Sequence, residues 1–191
     1  MSLQPEYYDA ETLVADLTAA VLDAIDEGVA TPIVLIDGRA ASGKSTIADA
    51  LQRRLFKEGE TLPRVVHMDD LYPGWDGLAA GAEYLQRFVL GPIAARKTAH
   101  WQLFDWALGE RREWREFSGG TPLIIEGCGA INTNSIDLAQ FSVWLEVDED
   151  VRHNRWLARE GSDEHWAAWA AQELDFYARE RSAALAAIRL S

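Results

Sequence analysis

The chain has 191 residues, of which 48% are apolar and 26% are charged, so it is neither a disordered nor a low-complexity segment. Its length allows one domain with a substantial core but not two, and we expect a single domain over residues 1–191. The 31 acidic and 18 basic residues give a net charge of −13. This charge argues against a general nucleic-acid binder, because such proteins need many basic contacts to phosphates.

The sequence lacks the features that direct a chain into a membrane or out of the cell. Apolar runs such as residues 32–36 are far too short to span a bilayer, and the first residues have no basic segment followed by an apolar one. The one cysteine, Cys128, cannot form an internal disulfide, and no Cys/His cluster has the spacing of a zinc site. We therefore expect a cytoplasmic protein with no membrane or nucleic-acid partner. A homo-oligomer is compatible with the sequence, which does not reveal the oligomeric state.

Residues 1–28 predict an acidic N-terminal helix. Seven acidic residues and no basic one lie within the first 30 positions. Apolar residues recur every four positions, at Leu13, Leu17, Val21 and Ile25. We expect this helix to begin near Asp9 and to end at Gly28, with its acidic residues on a solvated face.

Four short apolar runs without polar alternation predict strands that are buried on both faces, as in a parallel sheet. They lie at residues 32–36, 65–68, 122–126 and 142–147, and the tail 187–191 is the candidate for a fifth strand. Helical patterns lie between them, at residues 44–59, 152–160 and 166–188. This alternation predicts an α/β fold with at least four parallel strands and the first of the four runs near the centre of the sheet.

A phosphate-binding loop follows the first of these runs, where residues 38–45 read GRAASGKS and match the pattern GxxxxGK[ST]. Glycines let successive N–H groups point at phosphate oxygens, and the following helix adds the positive end of its dipole. Lys44 can reach the terminal phosphates of ATP, and the Ser45 hydroxyl can bind Mg²⁺. The alternative is a glycine-rich turn without a ligand. The predicted nucleotide-binding residues are Gly38, Arg39, Ala40, Ala41, Ser42, Gly43, Lys44, Ser45 and Thr46.

Two carboxylates are predicted beside this loop. Asp69 follows the second strand and Glu126 ends the third, and the carboxyl ends of parallel strands meet at one crevice. Phosphoryl transfer needs a phosphate cradle, Mg²⁺ and a carboxylate that orients or deprotonates the acceptor hydroxyl. No NKxD or DxxG motif of a GTPase is present. The pattern therefore favours a small-molecule kinase, with Ser45, Glu126 and Asp69 as candidate metal ligands.

From Pro32 to Glu160 the sequence resembles the uridine kinase and phosphoribulokinase group of P-loop kinases. The resemblance lies in the segments IDGRAASGKST, MDDLY, Phe104-Asp105-Trp106, IIEGCGAI and VDEDVRHNRWLARE. It implies a P-loop three-layer α/β/α sandwich of the nucleoside kinase type, with Asp69 as the catalytic carboxylate and Glu126 near Mg²⁺. It also implies substrate contacts from Tyr72, Phe104, Asp105 and Trp106.

A short lid is predicted over residues 150–165, because Gly161-Ser162 interrupts the helical pattern. Arg152, Arg155 and Arg159 lie on one face of its helix. They either form a solvated basic face or close onto phosphate, where fixed cations stabilise developing charge. In the second interpretation Lys44, Arg155 and Arg159 act with Asp69 in catalysis, and Arg152 contacts the substrate.

Several further expectations concern single side chains. Strand alternation predicts that Asp69 faces the P-loop while Asp70 turns away, and nearby positive charge is expected to keep Asp69 ionised. Trp75 and Trp106 lie in predicted loops beside the crevice, where they either pack structurally or stack on a base. Trp156 and Cys128 are expected to be structural, as is His67, with a satisfied hydrogen bond.

The leading interpretation is an ATP-dependent kinase that acts on a small hydroxyl-bearing metabolite, in the first place a nucleoside. One alternative is a sugar, sugar-acid or vitamin kinase on the same scaffold. The other is a regulatory protein that binds ATP as a switch and has no acceptor.

Overall fold

The structure is a computed structural model that describes residues 6–7, 9–59 and 62–191. Its strands are β1 (Glu6–Tyr7), β2 (Ile33–Gly38), β3 (Arg64–His67), β4 (Ala99–Asp105), β5 (Glu110–Phe117), β6 (Leu123–Glu126), β7 (Phe141–Leu145) and β8 (Ile188–Leu190). Its helices are α1 (Ala10–Asp26), α2 (Lys44–Gly59), α3 (Leu78–Leu85), α4 (Gly91–Ala94), α5 (Glu149–Glu160), α6 (Trp166–Glu180) and α7 (Ser182–Leu185). A π-helical turn, Gln86–Leu90, joins α3 to α4.

The strands form one parallel sheet and one separate hairpin. In the sheet the order is β1-β8-β7-β2-β6-β3, and every neighbouring pair is parallel. The strand that leads into the P-loop, β2, lies between β7 and β6, as the sequence predicted. The α/β class and the four predicted strands are therefore confirmed, and residues 188–190 of the tail supply a further strand.

Apolar side chains cover both faces of the sheet. Along β2, Ile33 and Leu35 pack into one hydrophobic cluster, whereas Val34 and Ile36 pack into the other. The second cluster is covered by α1 and α2, and the first is covered by α3, α6 and the hairpin. Because successive side chains of a strand point to opposite faces, an unbroken apolar run requires cover on both sides. The result is the expected three-layer α/β/α sandwich.

The acidic helix begins as predicted but differs in its apolar face. The Asp9 carboxylate accepts a hydrogen bond from the Thr12 N–H at 2.7 Å and caps the N-terminus of α1. Ile25 is 38% exposed, because a four-residue spacing drifts around a helix by about 40° per step. Ala24 occupies the buried position instead. The predicted N-terminal segment covers residues 1–28, of which 1–5 and 8 lie outside the described residues. Its helix ends at Asp26, two residues before the predicted end at Gly28.

The antiparallel hairpin of β4 and β5 was not expected from the sequence. It spans residues 99–117, with Ala99 opposite Phe117 and Asp105 opposite Glu110. Most of β5 is exposed and charged, so it has no apolar run of the kind that marks the other strands. The sequence patterns also did not predict the helical segment over residues 78–94.

The predicted long helix over residues 166–188 is wrong at its C-terminal end. It stops at Glu180, and Arg181 adopts a left-handed conformation with φ of 59° before α7. The following β8 pairs with β7 and β1, so pairing in the sheet overrides the helical propensity of an alanine-rich segment. Among the described residues, no helix has both the length and the apolar character that crossing a membrane requires.

Candidate functional site

A cavity of about 710 Å³ opens at the carboxyl ends of β2, β3 and β6. Ligands of open parallel sheets bind at this edge. The polar side of the cavity is formed by Lys44, Ser45, Thr46, Asp69, Glu126, Arg155, Arg159 and Glu160. We call the other side the aromatic wall, and it consists of Tyr72, Trp75, Trp106, Trp156 and Trp169.

The P-loop has the backbone geometry that its glycines allow. Gly38 has φ of +151°, and a Cβ built there would lie 2.6 Å from the Leu145 carbonyl oxygen. Gly43 has φ of +98°. Any other residue would be strained at both positions, so these glycines permit the tight curve of the loop. Of the predicted nucleotide-binding residues, Ala40, Ala41, Gly43, Lys44, Ser45 and Thr46 line the cavity, whereas Gly38, Arg39 and Ser42 do not.

The Lys44 ammonium is held inside this loop. It donates a hydrogen bond to the Arg39 carbonyl oxygen at 3.0 Å and lies 3.6 Å from the Cys128 sulfur. Burial opposes its charge, but the acidic groups that surround it, Glu126 and Asp37 among them, outweigh burial and raise its pKa. The lysine is therefore a fixed cation at the base of the cavity.

Asp69 lines the cavity and Asp70 does not, but strand alternation is not the reason. Both residues lie in a short 3₁₀ turn, Met68–Asp70, that follows β3, so successive side chains diverge by about one third of a turn. Surrounding protein displaces water from the Asp69 carboxyl and raises its pKa, although Lys44 and Arg159 act in the opposite direction. The expected positive charge of Lys44 thus acts on this carboxyl, but burial outweighs it and raises the pKa.

Glu126 connects the P-loop to β3. Its Oε1 accepts a hydrogen bond from the Ser45 hydroxyl at 3.1 Å and lies 2.7 Å from His67 Nδ1. The hydrogen bond between His67 and Glu126 raises the pKa of His67, which favours a protonated imidazole paired with the carboxylate. His67 thus has the satisfied hydrogen bond that was expected, although its side chain is half-exposed.

The oxygen atoms around Glu126 fit a magnesium ion. Within residues 6–7, 9–59 and 62–191, no group of three or more His, Cys, Asp or Glu side chains could hold a metal by itself. Magnesium bound with nucleotide needs only one or two protein oxygens, since phosphates and waters complete its shell. The hydroxyl of Ser45 and the carboxylates of Glu126 and Asp69 are hard oxygen donors on one cavity wall.

The three arginines of α5 are not equivalent. Arg155 and Arg159 are exposed and line the cavity, and Arg159 Nε donates to Glu160 Oε1 at 2.7 Å. Arg152 is only 3% exposed, and it donates to the carbonyl oxygens of Val147 and Ala40 at 3.0 and 3.4 Å. The predicted substrate contact of Arg152 is therefore corrected. Its side chain does not line the cavity and instead donates a hydrogen bond to the P-loop backbone at Ala40.

The Phe104-Asp105-Trp106 segment contributes only its last residue to the cavity wall. The Asp105 carboxylate accepts hydrogen bonds from the N–H groups of Ala107 and Leu108, both at 3.0 Å, and so stabilises the hairpin turn. Phe104 packs edge-on against Trp106, with 5.5 Å between ring centroids. Placing Asp105 and Phe104 on the substrate is thus not supported, because their side chains are used within the hairpin.

Trp75 lies at the centre of the aromatic wall. Its ring centroid is 5.0 Å from that of Trp106, 5.7 Å from that of Trp156 and 6.2 Å from that of Trp169. The imidazole of His165 stacks on it at 4.3 Å. The wall therefore brings together the segment after β3, the hairpin, α5 and α6. Trp156 was expected to be purely structural and Trp169 was not singled out, yet both line the cavity.

Two residues of α6 that sequence reasoning missed support the P-loop. Glu173 is 1% exposed, and its Oε1 accepts a hydrogen bond from the Ala40 N–H at 2.6 Å. One turn later, the Tyr177 hydroxyl donates to the Asp37 carboxylate at 2.7 Å. The sequence does contain an indication of the role of Glu173, which lies on the same helix face as Trp169 and Phe176. A carboxylate on an apolar helix face needs a buried partner.

Replacing Tyr177 by phenylalanine is expected to destabilise the protein more at high than at low pH. Burial raises the pKa of Asp37 to about 6. The contribution of this carboxyl to the free energy of unfolding therefore falls as the pH rises from about 4 to about 6. Losing the Tyr177 donor further disfavours the carboxylate, which should cost about 1.5–3 kcal/mol at pH 8 and less at pH 5. Urea unfolding at these two pH values measures the difference.

The matched control is Tyr7→Phe, whose hydroxyl donates to the exposed carboxylate of Asp16 at 2.9 Å. Its effect should stay within about 0.5 kcal/mol at both pH values, as is usual for surface changes. Equal losses for Tyr177→Phe at pH 5 and pH 8 would contradict the role assigned to Asp37.

Comparison with known proteins identifies the fold. A family model described as an AAA domain matches residues 34–173. The chain is similar to a protein described as a possible uridine kinase from Bacillus stearothermophilus, at 18% identity and a TM-score of 0.68 over 93% of this chain and 97% of that one. It is also similar to a Silicibacter sp. TM1040 protein with a provisional assignment as a fructose transport system kinase, at 22% identity and a TM-score of 0.61 over 92% of this chain and 98% of that one. No curated protein sequence matches the chain. The expected fold resemblance to P-loop kinases is thereby confirmed.

Proposed function

The chain belongs to the family of P-loop proteins that the AAA domain model describes, and we propose that it is an ATP-dependent kinase that phosphorylates a hydroxyl group of a small metabolite. The observation that carries the proposal is that Lys44 and Asp69 lie on the wall of one cavity. Phosphoryl transfer needs a cation at the phosphates and a carboxylate at the acceptor. A protein that only binds ATP needs the first and not the second.

The P-loop, residues 38–46, would bind the phosphates of ATP. Backbone N–H groups of the loop and the N-terminus of α2 favour negative charge, and Lys44 adds a fixed cation beneath them. Ser45, Glu126 and Asp69 would hold Mg²⁺, which neutralises charge on the phosphate oxygens when it is bound. Arg155 and Arg159, in the proposed lid over residues 150–165, would add further positive charge.

Asp69 would orient the acceptor hydroxyl and accept its proton late in the transfer. The raised pKa of its carboxyl suits this role, because a base works best when its pKa approaches the working pH. Tyr72 lies on the same wall, but its hydroxyl already donates to the Cys128 carbonyl oxygen at 2.8 Å. Its hydroxyl is therefore not free to bind a substrate, and only 1% of the residue is exposed.

A nucleoside is the first candidate acceptor. The aromatic wall offers rings against which a base can stack, and one structurally similar protein is described as a possible uridine kinase. A sugar, sugar acid or vitamin is the second candidate, since another similar protein carries a fructose-related assignment. The third candidate, a regulatory ATP-binding protein, leaves the position of Asp69 without a purpose.

An acceptor screen tests the proposal. The protein is incubated with Mg²⁺, ATP and a panel of nucleosides, sugars, sugar acids and vitamins, and mass spectrometry detects phosphorylated products. A Lys44→Ala preparation, purified in parallel, controls for contaminating kinases. A phosphorylated acceptor that depends on the unmodified protein supports the kinase function. Tight ATP binding without any phosphorylated product would instead favour the regulatory candidate.

A further inference from the structure

We propose that the aromatic wall binds the acceptor through the face of a planar ring and not through polar groups at the ring's edge. The site then accepts hydroxyl compounds with different planar rings and rejects those that have no planar ring. This inference rests on the proposed kinase function, because it names the acceptor class of the same cavity.

The first observation is the number of aromatic side chains on one side of the cavity. Five aromatic side chains line it, and four of them are tryptophans. They come from separate segments of the chain, with Trp75 and Trp106 preceding the lid region and Trp156 and Trp169 in α5 and α6. An acceptor that binds against this wall buries apolar surface of Trp75 and Trp106, which the other three rings support from within the fold.

The second observation is that the polar atoms of the wall already have protein partners. The indole N–H of Trp106 donates to the Asp69 carbonyl oxygen at 2.9 Å, and that of Trp156 donates to the Ser162 carbonyl oxygen at 3.1 Å. Trp169 donates to Glu173 at 3.2 Å. With the Tyr72 hydroxyl bound to Cys128, four of the five side chains have no free polar atom. Tyr72, Trp156 and Trp169 are at most 5% exposed, so the ring surface that a ligand can reach belongs mainly to Trp75 and Trp106.

Several charged groups of the cavity also have hydrogen-bond partners within the protein. Glu126 accepts from Ser45 and His67, and Glu160 accepts from Arg159. Lys44 is directed at the Arg39 carbonyl oxygen within the P-loop. These groups serve the phosphate side of the cavity, so the side that faces the acceptor's body has few free donors or acceptors.

This arrangement predicts a particular pattern of selectivity. Every nucleobase has a π-face, so stacking tolerates different bases, whereas strong discrimination requires hydrogen bonds that the wrong base leaves unmade. A sugar without a ring substituent would place hydroxyl groups against carbon surface, where they lose their bonds to water. Purine and pyrimidine nucleosides should therefore be comparable acceptors, and free ribose should be poor.

The experiment compares uridine, cytidine, adenosine, guanosine, 2-phenylethanol and ribose as acceptors. The four nucleosides are expected to differ in kcat/KM by less than about a hundredfold, the limit of selectivity in an apolar pocket, and to exceed ribose by more than that factor. The aromatic alcohol should be phosphorylated faster than ribose. A preference for one base above about a hundredfold, or ribose as good as a nucleoside, would overturn the inference.

Variants of the hairpin isolate the wall from the rest of the site. Trp106→Leu should raise KM for each nucleoside about tenfold, because it removes one stacking face. Trp106→Phe should retain most of the affinity, since it keeps a ring but loses the N–H that binds Asp69. Trp114→Leu is the matched control, because Trp114 lies on the same hairpin, is 63% exposed and does not line the cavity. Equal effects of Trp106→Leu and Trp114→Leu contradict the proposal.

Direct binding separates this inference from the kinase function. Quenching of tryptophan fluorescence is titrated with uridine, adenosine and ribose in the presence of Mg²⁺ and ADP. If no acceptor is phosphorylated, the proposed function fails, and the titration still decides on the wall. Nucleosides that bind more tightly than ribose, with weaker binding in Trp106→Leu, support the inference. Ribose that binds as tightly as the nucleosides refutes it.

Discussion

Replacing Asp69 by asparagine is expected to lower kcat by a factor of roughly 10²–10⁴ while ATP still binds. The carboxylate lines the cavity beside the P-loop, and asparagine has nearly the same shape but cannot take a proton. The change therefore removes the base and keeps the packing. Steady-state kinetics with one identified acceptor, together with calorimetric titration of ATP, measure both effects.

Asp70→Asn is the matched control for this variant. Asp70 is the next residue of the same 3₁₀ turn, and its carboxyl also has a pKa raised by burial, but it does not line the cavity. Its replacement should lower kcat by less than about tenfold, because it changes charge near the site and nothing at the reacting atoms. If Asp70→Asn is the more impaired of the two, the assignment of the base to Asp69 is wrong.

Lys44→Ala is expected to weaken ATP binding and to lower kcat by roughly 10²–10³, the usual effect of losing one preorganised group that stabilises transition-state charge. The ammonium is buried and held at the Arg39 carbonyl oxygen, so no mobile side chain can replace it. Calorimetry measures the affinity, and single-turnover phosphorylation measures the chemical step.

The same substitution has a second consequence. Glu126, Asp37 and Glu173 are buried carboxylates whose charge Lys44 partly balances, so its removal should also reduce the free energy of unfolding. Lys57→Ala provides the control, because Lys57 lies exposed near the end of the same helix. It should leave ATP binding and kcat unchanged. Equal ATP affinity in Lys44→Ala and the unmodified protein would contradict the proposed role of this lysine.

The aromatic wall also connects the proposed lid region, residues 150–165, to the cavity. The segment after α5 is only five residues long before α6 begins, yet Trp75 contacts side chains from both helices and His165 between them. Trp75 thus connects the proposed lid region to the aromatic wall of the cavity.

The parts of the site that local physics controls were predictable from the sequence. The P-loop is a contiguous segment whose function depends on backbone conformation, so Gly38, Gly43 and Lys44 identify it without knowledge of the fold. The four central strands are equally local, because burial on both faces requires a continuous apolar run. The position of Asp69 and Glu126 at the same edge then follows from the parallel arrangement of the strands, although the 3₁₀ turn that directs Asp69 into the cavity did not.

Tertiary structure alone decided which distant side chains share the cavity. Asp105 and Arg152 match the expected motifs, but one caps a turn and the other supports the P-loop, because their nearest unsatisfied backbone groups lie there. Trp169 and Glu173 reach the site from α6, more than a hundred residues after the P-loop. The apolar helix face indicates that Glu173 needs a buried partner, but no local pattern shows that this partner is the P-loop. Their place depends on how α6 packs against the sheet. Packing contacts between residues far apart in sequence are a property of the whole fold, whereas strands, helices and phosphate loops are encoded by adjacent residues.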